Sequence, residues 1–456
     1  MVPLAWTETG KNRTALNRMK IAIVGAGISG LSCAYYLSRN HDVTVFESAP
    51  QVGGHTATKV VEVHGETHAI DTGFIVYNDW TYPNFIKLLN ELGVTGRPSE
   101  MSFSVSCEQS GLEYAGSNLN TLFADRRNLL RPGYWKMLSD IMRFNREAID
   151  DLESDRLPPE LLLGEYLKSK NFGRPFIDKY LVPMGAAIWS STTDAMEEFS
   201  ALFFIRFFKN HGLLSVKNRP QWYTIVGGSN QYIEPLTNPY SDSVLTDTII
   251  HLIDRSDGQV NISYSTSGGS MQNTTADALV VATHSDQAIE LLHDISPLEL
   301  ELLAAIPYRA NEVVLHTDVT RLPQRPLAWS SWNYRLSADT DNLSDDSLAT
   351  DPLAKLTYNM NILQGLTTDT VFCVSLNQSE EIDEHKILGS YEYSHPVFTA
   401  AGVKAQGRWQ EIAGTHNTWF CGAYWGSGFH EDGIVSALRV VDSVNQFSKR
   451  DGAAVA

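Results

Sequence analysis

The apolar positions at the start of the chain fall into three blocks with different spacing. Residues 21–24 form a continuous apolar run, residues 31–38 carry apolar side chains at helical spacing, and residues 43–46 form a second strand-like run. A glycine-rich stretch separates the first block from the second. Strand, turn, helix and strand in this order are typical of a βαβ unit. The pattern therefore predicts an α/β arrangement at this end of the chain.

Two other patterns follow along the chain. From about residue 84 to 208 apolar residues recur three and four positions apart, which predicts helices, with a hairpin expected at residues 101–115. Further strands are expected near residues 248–253 and 278–282, and a last helix at about residues 434–447. Short β-rich runs predict one antiparallel sheet, and they are residues 313–316, 329–334, 356–360 and 371–376.

The glycine-rich stretch reads Gly25-Ala26-Gly27-Ile28-Ser29-Gly30. Gly25 permits a tight turn, Gly27 lets a pyrophosphate approach the N–H groups at a helix start, and Gly30 allows close packing of helix on strand. Glu47 ends the second strand, where its carboxylate can accept hydrogen bonds from ribose hydroxyls and disfavours a 2′-phosphate. Because both flanking elements are present, the stretch predicts a dinucleotide site and not a bare turn.

Composition and charge narrow the classes of function. The chain has 456 residues, of which 43% are apolar and 19% charged, as in soluble globular proteins of more than one structural unit. The net charge of -18 argues against a nucleic-acid partner, because such binding needs clustered Lys and Arg. Four cysteines without a CxxC pair indicate neither a disulfide framework nor a zinc site. We therefore expect no metal and a cytoplasmic protein, with residues 1–18 as a loose extension.

Later motifs give a family resemblance. Gly53-Gly54-His55 follows Glu47, residues 70–73 read Ile-Asp-Thr-Gly, and residues 419–433 form a glycine-rich segment that opens the last helix. In these features the chain resembles the flavin amine oxidase superfamily, which includes monoamine oxidases, phytoene desaturases and protoporphyrinogen oxidase. The resemblance covers most of the chain and implies FAD as cofactor. An Arg or Lys often follows the glycine pair in that superfamily, so His55 departs from the pattern.

The resemblance implies a set of residues at the flavin. Gly433 opens a helix whose dipole can stabilise the negative charge of a reduced flavin, and Asp432 is equally suited to an ordinary helix N-cap. The residues expected to contact FAD are Gly25, Ala26, Gly27, Ile28, Ser29, Gly30, Glu47, Ser48, Gly53, Gly54, His55, Thr72, Gly73, Phe74, Ile75, Thr283, Gly422, Trp425, Asp432, Gly433 and Ile434.

Together these features predict an α/β fold, α+β overall. A Rossmann-like FAD-binding domain is expected beside an amine-oxidase-like substrate domain of antiparallel sheet plus helices. The FAD-binding domain is expected at residues 19–80, 218–305 and 411–449, and the substrate-binding domain at residues 81–217 and 306–410.

A closer resemblance concerns the substrate. Residues 71–78, 188–190, 210–214 and 429–433 are similar to a bacterial subgroup of flavin oxidoreductases associated with cyclopropane and furan fatty-acid metabolism. This resemblance implies a hydrophobic, acyl or other lipid-like substrate. It implies no particular product.

Residues 201–208 are apolar on every side of a predicted helix. A buried core helix is the favoured interpretation. As alternatives, Phe203, Phe204, Phe207 and Phe208 wall a tunnel for an acyl chain, or one face of the helix contacts a membrane. Peripheral membrane contact is therefore left open, as is the oligomeric state.

Candidates for catalysis follow from the chemistry of flavin oxidation, in which a hydride passes from carbon to flavin N5 while the protein positions substrate and supplies a base. His430, beside the flavin loop, is the first candidate, followed by Lys355 and Tyr358; His211 and His284 are further candidates. Amine oxidases of the superfamily place a Lys near flavin N5, but the local match at Lys355 is poor.

The predicted function is an FAD-dependent oxidase, dehydrogenase or desaturase acting on a lipid-like substrate. One alternative is an amine oxidase for a small or aromatic amine, with Tyr424 and Trp425 in an aromatic cage. Another is a flavin-binding protein without turnover. No second glycine fingerprint is present for a nicotinamide cofactor.

Overall fold

The computed structural model describes residues 17–107, 110–336 and 353–454. The predicted N-terminal extension thus lies outside the described residues except for its last two positions. In chain order the strands are β1 (Lys20–Val24), β2 (Asp42–Phe46), β3 (Thr58–Val63), β4 (Glu66–Asp71), β5 (Val76–Asn78), β6 (Gly96–Ser99), β7 (Phe103–Cys107), β8 (Leu112–Ala115), β9 (Trp222–Ile225), β10 (Val244–Leu245), β11 (Thr248–Asp254), β12 (Val260–Thr266), β13 (Gln272–Ala276), β14 (Ala278–Val281), β15 (Tyr308–His316), β16 (Trp332–Leu336), β17 (Leu356–Asn359), β18 (Cys373–Leu376), β19 (Ile387–Pro396) and β20 (Thr418–Phe420).

The helices occupy three regions of the chain. The first helix follows β1 and the second lies between β5 and β6, in one region that precedes the hairpin; a long series lies between β8 and β9, and the others alternate with the later strands. They are α1 (Ile28–Leu37), α2 (Pro83–Leu92), α3 (Leu119–Leu122), α4 (Pro132–Glu153), α5 (Leu163–Ser169), α6 (Arg174–Phe176), α7 (Val182–Trp189), α8 (Thr193–Glu197), α9 (Ala201–Asn210), α10 (Ile233–Thr237), α11 (Ser285–Leu291), α12 (Pro297–Ala304), α13 (Met360–Leu363), α14 (Ala400–Gln406) and α15 (His430–Ala454).

A parallel sheet holds the first βαβ unit. Its strand order is β10-β2-β1-β14-β20, and every neighbouring pair is parallel. Side chains of β1 alternate between two cores: Ile21 and Ile23 face α1 and α15, whereas Ala22 and Val24 face the side of α11 and α12. Helices on both faces of a parallel sheet confirm the predicted α/β, Rossmann-like unit.

A second sheet of seven strands has the order β19-β15-β18-β17-β16-β7-β8. It contains all four β-rich runs predicted between residues 313 and 376 and also the predicted hairpin, β7–β8. The prediction of a purely antiparallel sheet is wrong at one place, because β16 and β7 pair in parallel. That pair joins strands from distant parts of the chain, so no local pattern reveals its direction.

The predicted strand near residues 248–253 is present as β11, but it belongs to a separate antiparallel sheet with β12 and β13. The apolar run at residues 201–208 is confirmed as a core helix, α9. Its buried side chains include Phe204, Phe207 and Phe208, so α9 itself offers no continuous apolar face to a membrane. In the described part of the chain, no helix is long and apolar enough to cross a membrane.

The close approach of Gly30 to the backbone of Gly25 leads to a prediction about stability. A Cβ added at Gly30 would lie 1.9 Å from the Gly25 carbonyl oxygen and 3.1 Å from Ala282 Cβ. Because the obstacle is backbone, which cannot move aside, Gly30→Ala should lower the free energy of unfolding by about 3 kcal/mol, measured by denaturant unfolding.

Gly133→Ala, near the start of α4, is the matched control, since a Cβ there meets nothing within 4 Å. It should be neutral or stabilising by up to about 1 kcal/mol. Equal effects of the two substitutions would contradict the prediction.

Candidate active site

The carboxyl ends of the parallel strands meet at one edge of the first sheet. Gly25 follows β1, Glu47 follows β2, Thr283 and His284 come shortly after β14, and Gly422 comes shortly after β20. In open α/β sheets this edge is where ligands bind. The structure therefore brings four separated segments of the predicted site to a single place.

The glycine turn is shaped by contacts that leave no room for side chains. Gly25 has a φ of 98°, and a Cβ there would lie 2.7 Å from the carbonyl oxygen of Ala282. Gly27 is the N-cap of α1 and no side chain caps the helix. A Cβ on Gly54 would lie 3.2 Å from the Cα of Gly27. Backbone N–H groups at the helix start thus remain for an anion, beside a wall formed by backbone.

Glu47 is held against this turn. Its Oε2 accepts a hydrogen bond of 2.8 Å from the backbone N–H of Ala26, and its Oε1 accepts one of 2.9 Å from that of Ala49. The Ser48 hydroxyl lies 3.4 Å from the same Oε1. An ionised carboxylate has about four lone-pair positions, so acceptor capacity remains for ribose hydroxyls. The fixed position agrees with the role predicted for this residue.

The start of α15 packs on the start of α1. A Cβ on Gly433 would lie 2.8 Å from Ser29 Oγ and 3.0 Å from Ile28 Cγ2. The expectation that Asp432 is the N-cap is wrong, because α15 begins two residues earlier, at His430. As the third residue of the helix, Asp432 accepts a hydrogen bond of 3.1 Å from the N–H of Phe429, the residue before the helix, as the N3 side chain of a capping box does. Burial raises the pKa of Asp432 to about 6. Both helix N-termini therefore lie at the same edge, where their dipoles favour negative charge.

Glu431 ties α15 to α2. Its carboxylate accepts hydrogen bonds from the backbone N–H of Phe85 at 2.9 Å and from Asn84 Nδ2 at 2.7 Å. The N-cap residue of α2, Tyr82, makes no capping hydrogen bond with its side chain, so Glu431 satisfies the first N–H groups of α2 from another helix. Burial raises the pKa of Glu431, while these hydrogen bonds lower it.

His430 lies inside this packing and does not face the cleft described below. Its ring stacks on Phe74 with centroids 3.5 Å apart. Its Nε2 lies 3.1 Å from Thr56 Oγ1 and 3.0 Å from the Tyr232 hydroxyl. Burial lowers the pKa of His430 well below its usual value, and nearby His55 lowers it further. His430 is thus a neutral imidazole that connects Thr56, which follows the Gly53-Gly54 pair, with Tyr232, which follows the Gly227-Gly228 pair.

The segment of residues 72–75 is fixed beside His55. The Phe74 N–H donates to the His55 carbonyl at 2.7 Å, and a Cβ on Gly73 would lie 2.2 Å from that same oxygen. The preceding Asp71 carboxylate accepts hydrogen bonds from Thr58 Oγ1 at 2.6 Å and from the Ser229 N–H at 2.8 Å. Burial raises the pKa of Asp71 to about 6. This polar cluster holds the predicted flavin segment in place.

His55 faces two other imidazoles. Its ring centroid is 6.0 Å from that of His284 and 5.5 Å from that of His395, with Tyr393 at 5.3 Å. Burial, together with the nearby His395 and His284, lowers the pKa of His55 to about 3, against the opposing effect of a hydrogen bond to the Ser394 backbone. The buried His55 Nε2 has no hydrogen-bond partner in the described residues. This atom is therefore available to a ligand.

Lys355 and Tyr358 lie elsewhere. Lys355 Nζ pairs with Glu381 Oε1 at 2.7 Å, and Tyr358 packs edge-on against Trp332 with ring centroids 5.0 Å apart. Both belong to the β17 region of the seven-stranded sheet. Tyr424 and Trp425 pack into the core beside β14 and do not line the cleft.

A cleft opens between α9 and the start of α15, and we call it the α9 cleft. Phe207 is central to its aromatic wall: its ring stacks on His211 at 3.9 Å and on Phe429 at 5.3 Å. Burial lowers the pKa of His211 to about 4. The cleft is lined by Thr81, Tyr82, Phe203, Arg206, Phe207, Asn210, His211, Ser427, Phe429, Glu431 and Asp432.

Sequence reasoning pointed to part of this cleft through the apolar run that contains Phe203 and Phe207. It gave no signal for Arg206, because one polar residue in a helix is ordinary. Asn210 lies in the stretch of residues 210–214 that carries the closer resemblance, but no role followed for it from the sequence. Only the packing of α9 against the segment of residues 427–432 brings them together.

The described residues fit FAD. The uncapped α1 and the approach of Gly54 to Gly27 leave a cradle for a pyrophosphate that any Cβ would narrow, and Glu47 stands where ribose hydroxyls would lie. The unpartnered His55 Nε2 gives a further polar contact. For the described residues, no cluster of His, Cys, Asp and Glu suited to a metal ion is found.

Comparison with known proteins identifies relatives of this arrangement. Residues 28–325 match the family described as flavin containing amine oxidoreductase. The chain is 24% identical over 329 residues to L-amino acid oxidase Bs29 of Bothriechis schlegelii, covering 66% of this chain and 60% of that protein. It is 23% identical over 363 residues to the L-amino-acid oxidase of Sistrurus catenatus edwardsii, covering 70% and 64%. The chain thus spans less than two thirds of the length of these relatives.

Solved structures share the fold. The CLA-producing fatty acid isomerase from P. acnes superposes with a TM-score of 0.64 and 16% identity, covering 94% of this chain and 98% of that one. Cyclohexylamine oxidase from Brevibacterium oxydans IH-35A gives a TM-score of 0.63 and 14% identity, covering 94% and 99%. The similarity extends over both sheets and shows a common architecture.

The imidazole at position 55 leads to a pH prediction. The hydrogen bond between His55 and the Ser394 backbone raises the pKa of His55, so the backbone group must be an acceptor, the carbonyl oxygen. That carbonyl takes the proton of Nδ1. Neutral Nε2 then carries a lone pair and no proton. The ring can donate to a phosphate only after protonation. A diphosphate bound against Nε2 would raise the pKa of His55, so binding would take up a proton at pH values between the free and bound pKa. FAD should therefore dissociate more readily as pH rises through the bound value, by up to about tenfold per pH unit.

The measurement is the fluorescence of FAD released on dilution of the holoprotein, from about pH 5 to about pH 9. His55→Arg supplies a permanent charge and should keep FAD while removing the pH dependence. His385→Gln, an exposed position, is the control and should behave like the unaltered protein. Release that is independent of pH in the unaltered protein would rule out the proton uptake.

Proposed function

Because this chain belongs to the flavin-containing amine oxidoreductase family, we propose that it is an FAD-dependent oxidoreductase acting on a lipid-like, fatty-acyl substrate. The observation that carries the proposal is the α9 cleft beside the N-terminus of α15. Its wall of Phe203, Phe207 and Phe429 offers an apolar surface for a hydrocarbon chain.

Arg206 gives the cleft a polar end. Its side chain is exposed, and in the described part of the chain it has no acidic partner within ion-pair distance. The two carboxylates of the cleft, Glu431 and Asp432, already accept backbone N–H groups. An anionic head group and an apolar chain therefore match the cleft together, as in a fatty acid.

When bound, FAD supplies a hydride acceptor. The chain's own residues would bind and orient the substrate. Phe207, Phe429 and His211 stack into a wall that excludes water from one side of the cleft. His211 Nδ1 lies 3.0 Å from the Phe207 carbonyl oxygen, so its proton is on that nitrogen and Nε2 has a free lone pair. His211 is thus the imidazole positioned to accept a proton, a role that sequence reasoning had given first to His430.

The substrate class is tested by anaerobic addition of three panels to the yellow holoprotein: fatty acids, amines and L-amino acids. Loss of the flavin absorbance with fatty acids is the expected result. Loss with cyclic or aromatic amines, or with amino acids, would instead favour an amine oxidase, the second candidate. An unchanged spectrum with every panel would indicate a flavin-binding protein without turnover.

Arg206 gives the sharper prediction. Arg206→Gln should raise the dissociation constant of a fatty acid about fivefold, the size expected for an exposed ion pair, and leave that of its methyl ester unchanged. Arg206→Lys should retain most of the affinity because it keeps the charge. Binding is followed by perturbation of the flavin absorbance. Equal losses for acid and ester would show that Arg206 acts through packing and not through charge.

A further inference from the structure

A stretch around the start of α4 exposes more large apolar side chains than any other described stretch of similar length. Leu119 is 77% exposed, Leu130 86% and Met142 58%, with Leu129 at 47% and Trp135 at 50%. We call these five residues, with the cations between them, the 119–142 surface. Soluble proteins seldom leave such side chains together in water unless a partner covers them.

Contacts around Trp135 connect the middle of this surface. Trp135 Nε1 donates to the Leu129 carbonyl at 3.0 Å, which holds the loop against α4. The ring of Phe123 lies 5.5 Å from that of Trp135. Trp135 and Met142 are seven residues apart on α4 and so lie on the same side of the helix, about two turns apart. The surface therefore runs from α3 along the first turns of α4.

The charges on this surface have one sign. Arg126, Arg127, Arg131 and Lys136 lie between the exposed apolar residues. Arg126 and Arg127 are exposed, and the side chain of Lys136 is 54% exposed. The two acidic residues of the stretch are buried, Asp125 at 3% exposed and Asp140 at 1%. Asp125 pairs with Arg127 at 2.9 Å and Asp140 with Lys136 at 2.6 Å. Arg126 and Arg131 have no acidic partner in the described residues and carry the excess positive charge. The outer layer is cationic in a chain whose net charge is -18.

We propose that the 119–142 surface binds the interface of a membrane that contains anionic lipids. Lys and Arg attract anionic head groups, while Leu, Trp and Met enter the boundary between head groups and acyl chains. Trp135 adds an exposed aromatic ring, the type of side chain that is enriched where head groups meet acyl chains. Charge complementarity selects this partner: a second copy would oppose cation to cation, and a nucleic acid would leave the apolar residues in water.

The position of the surface is consistent with a lipid substrate. α4 packs against α9, which lines the α9 cleft. A membrane bound at residues 119–142 would therefore lie against the same helical layer that carries Phe203 and Arg206. Membrane binding is inferred from the exposed residues of the 119–142 surface alone, so it does not depend on whether the substrate is a lipid or an amine.

The test is co-sedimentation of the holoprotein with phosphatidylcholine vesicles, with and without phosphatidylglycerol. Binding to the anionic vesicles, weakened by salt, is expected. Leu130→Glu should reduce the bound fraction about tenfold, because a charge replaces the most exposed apolar side chain. Arg126→Gln and Arg131→Gln should each weaken binding about fivefold on the anionic vesicles alone. Val60→Glu, at another exposed apolar residue on β3, is the matched control and should bind normally.

A second measurement locates the contact. Brominated lipids should quench the holoprotein's fluorescence, and the quenched portion should disappear in Trp135→Phe. No binding to anionic vesicles, or equal binding by Leu130→Glu and by the control, would overturn the proposal. A dimer in solution that Leu130→Glu dissociates would overturn it too, since the surface would then join two copies.

Discussion

The structure depends on backbone meeting backbone at the carboxyl edge of the parallel sheet. Gly25, Gly30 and Gly54 each lie where a Cβ would contact main-chain atoms of another segment. These contacts allow α1 to begin directly above β1, with its first N–H groups uncapped and facing the region reached by β14 and β20. A side chain at any of these three positions would push α1 outward. The anion site, the Glu47 contact and the surface on which α15 packs would then move with α1.

Buried carboxylates connect this edge to the rest of the molecule. Asp71 accepts hydrogen bonds from the Ser229 segment and one of 3.2 Å from Nε2 of Gln364. Gln364 is the C-cap residue of α13, the helix that follows β17 of the seven-stranded sheet. Glu431 caps α2 from α15. Burying a carboxylate is costly unless hydrogen bonds replace its hydration, and here backbone N–H groups supply much of that replacement. The same hydrogen bonds fix the segments predicted to surround the flavin and those that line the α9 cleft, so the network that stabilises the fold also sets the geometry of the candidate site.

The sequence was sufficient where function requires an uncommon local pattern. The family resemblance, the fold class and FAD were all predictable, and each is confirmed. The structure places Glu47 against the glycine turn, and its contact with the cofactor stays a prediction. Prediction was weaker where contacts join distant segments. Nothing local reveals that β16 pairs in parallel with β7, that Lys355 pairs with Glu381, or that Arg206 meets the segment before α15. His430 was chosen because it is next to the flavin motif, but which way a side chain points from a helix start depends on tertiary packing.

The basic groups near the site are neutral where they are buried and charged where they are exposed. The imidazoles near the site, His55, His211 and His395, all have a lowered pKa and are neutral at physiological pH. Permanent cations stand at the rim of the cleft and on the 119–142 surface, where water still solvates them. A permanent cation at position 55 would add a large desolvation cost whenever the site is without its anionic ligand. An imidazole avoids that cost by releasing its proton, so His55 can serve where the family often has Arg. The buried site is then stable with or without a bound diphosphate, and strong attraction for anions is kept on the outside of the molecule.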